Sequence, residues 1–243
     1  MVHFMTKNKQ QSHTLPNHIA IIMDGNRRWA HENHLPTIAG HRKGAETLRK
    51  IIEHAGQIGL TYLTVYAFSS ENWDRPVYEV TGVMALLKTY LKKEVPHLHE
   101  NNVKLKFLGE RSKLSPTILT LMDEAEALTQ YNTGLTFCPA LNYGSWEELT
   151  FAVRTIGQKI LEKNLDPSSI TSELIAQHLF TQNIPNPDLL IRTGGEKRLS
   201  NFLLLQLAYA EFIFNDIYWP DYTINAFNNA IEEYQKRERR FGT

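Results

Sequence analysis

Ile19-Ala20-Ile21-Ile22-Met23-Asp24-Gly25-Asn26-Arg27-Arg28-Trp29-Ala30 is the stretch that decides how this chain folds. It opens with a short apolar run, the pattern of a strand buried on both faces of a parallel sheet. The run stops abruptly in Asp-Gly-Asn, then two arginines and a tryptophan. In open α/β sheets, ligands bind outside the carboxyl ends of the strands. A carboxylate at such an end, beside guanidinium groups, suits a divalent cation holding a phosphate or diphosphate, because each charge needs a partner.

Working outward, strand and helix patterns alternate. After Gly40-His41-Arg42-Lys43-Gly44, the residues Ala45, Leu48, Ile51, Ile52 and Ala55 recur at helical spacing, and Gly56 and Gly59 end that run. Tyr62 to Phe68 reads as a second strand, Lys104 to Leu108 as a third and Leu135 to Leu141 as a fourth. Asp188 to Ile191 and Phe212 to Asn215 complete the set. Helical patterns cover Glu79 to His99, interrupted at Pro96, and Pro116 to Thr129, where Pro116 suits a first turn after Ser115. Others cover Glu147 to Glu162, Ser172 to Leu179, a short apolar run from Asn201 to Tyr209, and Ile224 to Arg240. This predicts an α/β fold with one six-stranded, mostly parallel sheet flanked by helices. No repeat, low-complexity tract or linker divides it, so residues 18–243 are expected to form a single domain behind a polar, flexible segment 1–17.

Composition narrows the class. Lys+Arg and Asp+Glu are equal at 26 each, so net charge gives no argument for a nucleic-acid partner. With 42% hydrophobic residues the chain can bury a substantial core. The single cysteine, Cys138, rules out an internal disulfide and fits a reducing, cytoplasmic setting. The N-terminus does not resemble a signal peptide. Phe202 to Phe214, interrupted by Gln206 and Glu211, falls short of the roughly 20 apolar residues a membrane-spanning helix needs. Contact with a membrane surface stays open.

The unusual polar residues gather at predicted strand ends. Asp24, Asn26 and Arg28 follow the first strand, and Ser69, Glu71, Asn72 and Arg75 the second. Arg111 follows the third, Asn142 the fourth, and Arg192, Lys197, Arg198 and Ser200 the fifth. In a parallel sheet these ends share one edge, so a locally arginine-rich cleft is expected, with hydroxyls and glycine-rich backbone able to bind phosphate oxygens. Each piece has an ordinary reading alone: Asp-Gly-Asn is a good turn, and exposed arginines are commonly solvated. Trp29 and Trp73 suit a core, and His41 could cap its helix. Co-location at one edge is what independent turns would not produce. There is no P-loop, no dinucleotide-binding Gly-x-Gly-x-x-Gly after a strand, no His-Glu-x-x-His and no Gly-x-Ser-x-Gly.

Several blocks resemble the signature motifs of the cis-prenyltransferases. They are Met23 to Ala30, Tyr66-Ala67-Phe68-Ser69-Ser70-Glu71-Asn72-Trp73-Asp74-Arg75-Pro76, Ile191-Arg192-Thr193-Gly194-Gly195-Glu196, Arg198-Leu199-Ser200-Asn201-Phe202-Leu203-Leu204 and Tyr209-Ala210-Glu211-Phe212. The resemblance runs from about His18 to Gly242. It implies sequential condensation of isopentenyl diphosphate onto an allylic diphosphate, farnesyl diphosphate, with each step making a cis double bond. The implied product is a C55, undecaprenyl diphosphate, a precursor of the lipid carrier for cell-wall peptidoglycan. It further implies Mg²⁺ dependence, a homodimer, an apolar tunnel beside the six-stranded sheet, and peripheral membrane contact for product release. The Asp-Asp-x-x-Asp motif of the all-helical trans enzymes is absent.

By the same resemblance, Asp24 is the essential carboxylate handling Mg²⁺ and diphosphate, with Glu211 a second metal ligand. Gly25, Asn26, Arg27, Arg28, Trp29 and His41 surround the allylic diphosphate, and Ser69, Ser70, Glu71, Trp73 and Arg75 continue that wall. Arg192, Arg198, Leu199 and Ser200 resemble the isopentenyl diphosphate site. Asn72 occupies the place of the family's proposed proton acceptor. A carboxamide is a very poor base, which favours an orienting role while a diphosphate oxygen or a water takes the proton. The tunnel is expected along the Glu79–His99 helix and inner strands, including Leu135 and Phe137. Arg240-Phe241-Gly242 resembles a C-terminal motif that reaches the partner subunit's site. Three departures bear on substrate affinity: Arg27 where a glycine is common, Thr37 where a phosphate-binding arginine is usual, and Ser145-Trp146 in place of Gly-Arg. Two other readings compete, a phosphohydrolase with Asp24 as nucleophile and a non-catalytic partner subunit. Asn26 weakens the first, and retention of Asp24 argues against the second.

Overall fold

Strand β1 (His18–Ile22) is buried at every position, as its unbroken apolar run requires. The computed structural model describes residues 14–237. Most of the expected flexible segment, and Arg240-Phe241-Gly242, lie outside the described residues. Residues 14–17 are docked rather than loose: Leu15 packs on the core, Pro16 is buried, and the Asn17 N–H donates to Asp188 Oδ2 at 2.9 Å.

The sheet holds β1, β2 (Tyr62–Ser69), β3 (Lys104–Leu105), β4 (Thr136–Tyr143), β5 (Leu189–Arg192) and β6 (Glu211–Phe214) in the order β3-β4-β2-β1-β5-β6. Every pairing is parallel. From β1 the chain moves toward β2, and from β5 toward β6, on the other side. The carboxyl ends of β1 and β5 therefore flank the point where the winding reverses, the place where such sheets open a binding crevice. Period-2 alternation splits the core between the two faces. Ile19, Ile21, Leu63, Val65, Leu189 and Ile191 pack on one side, and Ala20, Ile22, Cys138, Ala140 and Leu190 on the other. β2 is bulged around Ala67, which re-aims its last residues near the crevice.

The helices are α1 (Asn26–Glu32), α2 (Thr37–Gln57), α3 (Val77–Glu100), α4 (Pro116–Thr129), α5 (Ser145–Leu161), α6 (Ser172–Ala176) and α7 (Ile224–Lys236). Three differ from the sequence expectation. α1 is an additional short helix entered through Gly25 at φ 108°. α3 runs through Pro96 without interruption; Lys92, whose carbonyl loses its partner, lies on the same exposed face, where water can satisfy it. The expected helix from Asn201 to Tyr209 is instead a chain of turns, because Ser200, Asn201 and Leu203 adopt φ of 52°, 61° and 47°. It still buries Phe202 and Leu207 beneath the sheet. The third strand is shorter than expected, continuing only as a bridge from Leu108 to Ala140.

α1 and α2 cross closely because Gly40 and Gly44 have no side chains. A Cβ on Gly40 would sit 2.0 Å from the Asn26 carbonyl oxygen, and one on Gly44 would sit 2.4 Å from Asn26 Oδ1. Gly40→Ala is expected to destabilise by about 1–3 kcal/mol in urea or thermal unfolding, through forced separation of the helices. In Gly56→Ala, near the end of the same helix, the new carbon meets nothing within 4 Å. That control is expected to be neutral or stabilising by up to ~1 kcal/mol.

Candidate active site

The register that pairs Ile22 with Arg192 brings Asp24 and Arg192 together at the crevice, although 168 residues separate them. Arg192 Nη2 donates to Asp24 Oδ2 at 2.9 Å, with the arginine side chain 4% exposed and the aspartate 29%. Arg192 Nη1 donates to Ser200 Oγ at 2.9 Å and to the Arg198 carbonyl, while its buried Nε finds no partner among the described residues. The other oxygen of Asp24 accepts from the Gly25 N–H at 2.7 Å and meets Arg28 Nη2 at 3.2 Å. Burial alone would raise the Asp24 carboxyl. The hydrogen bond and charge of Arg192, the charge of Arg28 and the Gly25 N–H outweigh it and hold it below the usual carboxylate range.

A polar cleft of about 570 Å³ opens above this pair. Of the residues expected from sequence, Asp24, Asn26, His41, Ser69, Glu71, Asn72, Arg75, Arg192, Arg198 and Ser200 all line it. Asn72 Oδ1 accepts the Ser69 backbone N–H at 3.2 Å. Because that partner can only donate, the amide oxygen is engaged and the NH₂ has no protein partner among the described residues. Arg28 lies 5.2 Å over the Tyr218 ring and 3.5 Å from Glu196, which also holds Arg198 at 2.5 Å.

Sequence reasoning missed a hub. Glu79, in the first turn of α3 and 3% exposed by side chain, receives Arg75 Nη1 at 3.0 Å, with Arg27 Nε at 3.8 Å and His41 Nε2 at 3.6 Å. The i,i+4 spacing of Arg75 and Glu79 was the available signal. Burial first, then the charge of Arg75, lowers the pKa of His41 against the opposing pull of Glu79, so its imidazole is neutral near pH 7.

Other expectations land elsewhere. Arg27 turns to Glu79 and, like Trp29, is not a cleft-lining residue. Trp73 packs edge-on to Phe68 with centroids 5.0 Å apart, and its indole N–H donates to Asn142 Oδ1 at 2.7 Å. Ser70 faces a neighbouring pocket, Leu199 packs into the core, and Arg111 is held away by Asp123 and Glu126. Glu211 does not converge with Asp24 within the protomer. It begins β6, paired in register with Leu189, whereas Asp24 lies beyond the end paired with Arg192; that offset is about 10 Å along the strands. Arg237 binds Glu211 at 2.8 Å.

Beneath the cleft is an apolar cavity of about 130 Å³ between the sheet, α2 and α3. Phe137 lines it and Leu135 does not. Met23, Asn26, His41 and Ala67 border both spaces, so the charged cleft and the apolar cavity lie back to back, one side chain apart.

Residues 22–242 match the Prenyltransf family model, described as undecaprenyl diphosphate synthase. The chain is 52% identical over 227 residues to the isoprenyl transferase of Brucella suis, spanning 93% of this chain and 89% of that protein. It is 48% identical to the isoprenyl transferase of Agrobacterium fabrum, spanning 94% and 93%. The crystal structure of lavandulyl diphosphate synthase from Lavandula x intermedia, in complex with dimethylallyl diphosphate, superposes with a TM-score of 0.91 at 36% identity, over 94% of this chain and 99% of that one. The chain belongs to this prenyltransferase family, whose substrates are isoprenoid diphosphates.

Asp24→Asn leaves the buried Arg192 guanidinium without its counter-charge and is expected to cost about 1–3 kcal/mol of stability. The folded carboxyl titrates below its unfolded value. Its contribution is therefore complete above the ordinary carboxylate pKa, and it disappears as pH falls through the lowered value. The stability difference between wild type and Asp24→Asn should be constant from about pH 8 to about pH 5 and shrink below about pH 4 in denaturant titrations. A difference that persists undiminished into stronger acid would contradict the pairing.

Proposed function

We propose that this prenyltransferase condenses isopentenyl diphosphate repeatedly onto an allylic diphosphate, farnesyl diphosphate, forming a cis double bond at each step. The observation that carries this reading is the junction between cleft and cavity. A charged space rich in arginine lying against an apolar one suits a substrate with a diphosphate head and a hydrocarbon chain. Two diphosphates need two sets of cations. Arg75 in the cleft wall and Arg28 beside Asp24, with neutral His41 as a hydrogen-bonding group where cleft and cavity meet, suit the allylic head. Arg192, Arg198 and Ser200 suit the isopentenyl head.

In the reaction the allylic C–O bond breaks and its electron pair leaves on the diphosphate. The terminal alkene carbon of isopentenyl diphosphate forms the new C–C bond, and one proton is then lost. Guanidinium groups aimed at the departing diphosphate stabilise the charge that develops there. Asp24 is the residue that would hold Mg²⁺ beside the diphosphates, an ion commonly held by one or two carboxylates plus phosphate oxygens. When bound it would neutralise the leaving group further. The Asn72 NH₂, with its carbonyl already engaged, is suited to orient a diphosphate oxygen and not to accept a proton.

The rival reading as a phosphohydrolase is disfavoured because Asn26 stands where such enzymes commonly carry a second aspartate, and because cleaving a phosphate gives the neighbouring apolar cavity no role. The product proposed is undecaprenyl diphosphate, made in the cytoplasm for a cell-wall carrier lipid. The fold does not choose it, since the similar lavender enzyme is named for another product. Among the described residues no helix is long and apolar enough to cross a membrane, and the lipid product suits peripheral contact. A homodimer is proposed, with Leu204, Leu205 and Tyr209 in the turns before β6, 38%, 47% and 80% exposed, as apolar side chains available for a contact.

Incubation with farnesyl diphosphate, radiolabelled isopentenyl diphosphate and Mg²⁺, followed by chromatography, is expected to give polyprenyl diphosphates of one dominant length. Absence of elongation, where a working relative elongates, would sink the reading. Asn72→Asp puts an anion where a diphosphate must sit and is expected to lower turnover by roughly 10²-fold or more. Near-normal turnover with unchanged substrate KM would show that no specific orienting amide is needed.

A further inference from the structure

The two diphosphate half-sites proposed above are carried by different parts of the chain. The allylic wall follows β2, through Ser69, Asn72 and Arg75, and the isopentenyl wall is the loop after β5 that bears Arg198 and Ser200. The first is held by its own bonds. Asn72 Oδ1 accepts the Ser69 N–H at 3.2 Å, and the Trp73 indole is bound to Asn142 at 2.7 Å. The second is not. Ser200, Asn201 and Leu203 hold φ of 52°, 61° and 47°, and non-glycine residues stay in that region only where their surroundings over-determine it. The contacts that do so decide where Arg198 and Ser200 point.

Arg192 holds one flank of this loop, and Asn201 holds the other. Its backbone carbonyl accepts the Ser145 N–H at 2.8 Å and its side-chain oxygen the Trp146 N–H at 3.1 Å, both at the start of α5. Its side-chain NH₂ donates to Glu71 Oε1 at 2.9 Å and to Glu147 Oε2 at 3.1 Å. Both donors and the acceptor of the amide are thus engaged, and the bond to Glu71 spans 130 residues of chain. The Leu204 N–H adds a bond to Ser145 Oγ at 2.8 Å, which a glycine at 145 could not accept. Tyr66, in β2, gives a second tie. Its hydroxyl is shared between the carbonyls of Tyr143 at 3.1 Å and Ser200 at 3.3 Å, and its ring stacks on Phe202 with centroids 4.4 Å apart. The sequence assigns neither Asn201 nor Tyr66 a role, yet both line the cleft. The same contact explains Glu71, since a carboxylate by itself repels a diphosphate. Burial alone would raise the Glu71 carboxyl; the Asn201 bond, its own backbone N–H and the Ser69 and Ser70 hydroxyls outweigh it and hold it below the usual range. It is an anion whose work is to hold a loop.

We propose that Asn201 is a positioning residue that ties the isopentenyl half-site to the allylic one, with Glu71 as its anchor and Tyr66 as a second tie. The inference rests on the two-substrate condensation proposed above and adds what fixes its two diphosphates relative to one another. Asp24–Arg192 joins the end of β1 to β5, and Glu71–Asn201 joins the segment after β2 to the loop after β5. Without the second tie the loop leaves its left-handed turn, while the segment from Ser69 to Arg75 keeps its own bonds. Arg198 and Ser200 then meet the isopentenyl head less often, and the allylic head finds its partners in place.

The test measures KM for each substrate with the other saturating, in the full chain. Asn201→Ala is expected to raise KM for isopentenyl diphosphate about fivefold to tenfold and to change that for farnesyl diphosphate by less than about twofold. Tyr66→Phe keeps the ring on Phe202 and removes only the hydroxyl. It should move the same KM in the same direction by about twofold to fivefold, and it decides the matter if Asn201→Ala does not fold. Asn201→Asp sets a third carboxylate against Glu71 and Glu147 and should do more harm than Asn201→Ala. Adding Glu71→Gln to it remakes the bond with donor and acceptor exchanged and should recover most of the lost affinity. An asparagine of merely structural value gives neither that rescue nor a split between the two KM values. Amide hydrogen exchange reads the tie without turnover: the Leu204 N–H should exchange severalfold faster in Asn201→Ala and the Arg75 N–H should not. Unchanged Leu204 exchange overturns the tie whether or not the chain elongates. Equal changes in both KM values, or none, in the folded variants overturn the positioning role alone. Failure of the unaltered chain to elongate overturns the activity, and the role with it.

Discussion

The Asp24–Arg192 pair is the contact on which the site depends. It joins the ends of β1 and β5, the two strands from which the chain departs in opposite directions. Its consequences spread both ways. On the Arg192 side, bonds to Ser200 and the Arg198 carbonyl hold a loop whose backbone occupies the left-handed region at Ser200 and Asn201. On the Asp24 side, the backbone carbonyl accepts from the Trp219 N–H at 2.9 Å and the Thr193 hydroxyl at 2.8 Å, and the Trp219 indole reaches the Gly44 carbonyl at 2.8 Å. One charge pair thus connects the crevice to α2 and to the segment before α7. An uncompensated charge at Arg192 would disturb all of these, because a buried guanidinium tolerates no empty place opposite it.

Much of the fold was legible because its strands have only one reading. Runs such as Leu189-Leu190-Ile191 are too short and too uniformly apolar to be surface helices, and all three residues are buried. The cleft was legible for a related reason: parallel strands present their ends at one edge, so the residues after them had to meet. What escaped were features decided by tertiary contact. The α1 helix depends on an αL glycine and on the room that Gly40 and Gly44 leave for it, neither of which leaves a periodic signal. The turns after Ser200 bury Phe202 and Leu207 with helix-like spacing, so the apolar pattern is truthful about burial and misleading about backbone. Glu79 escaped because an acidic residue in a first helical turn has an ordinary explanation in the helix dipole.

The catalytic expectations taken from resemblance divide along the same line. Asp24, Ser69, Asn72, Arg75, Arg192, Arg198 and Ser200, at or after the carboxyl ends of β1, β2 and β5, line the cleft because topology brings those ends together, while neighbours such as Ser70, Trp73 and Leu199 turn to other contacts. Glu211 did not join them, and the register explains it: position 211 pairs with the start of β5, so its side chain belongs to the other edge of the sheet. Trp73 resembles a substrate contact by motif, and its indole clamps Asn142, a buried residue at φ 47° whose amide also donates to the Glu110 carbonyl at 2.7 Å. A motif block carries residues that shape a loop together with residues that touch a ligand, and sequence does not separate them.

The cations of the cleft are not waiting bare, and the burial of their counter-ions ranks how each can act. Arg75 is paired with Glu79, whose side chain is 3% exposed; removing that carboxylate from its partners would strand a charge away from water. Such a pair stays together and fixes the direction of the guanidinium. Arg28 and Arg198 share Glu196, which is 37% exposed. A solvated carboxylate gives up a partner at little cost, and a diphosphate offers more charge and more acceptor oxygens to the same two groups. Glu196 is therefore the exchangeable counter-ion of the cleft and Glu79 the permanent one. The arrangement keeps arginines oriented before substrate arrives and leaves a subset free to change partners when it does, which is the preorganisation an anion-binding site needs.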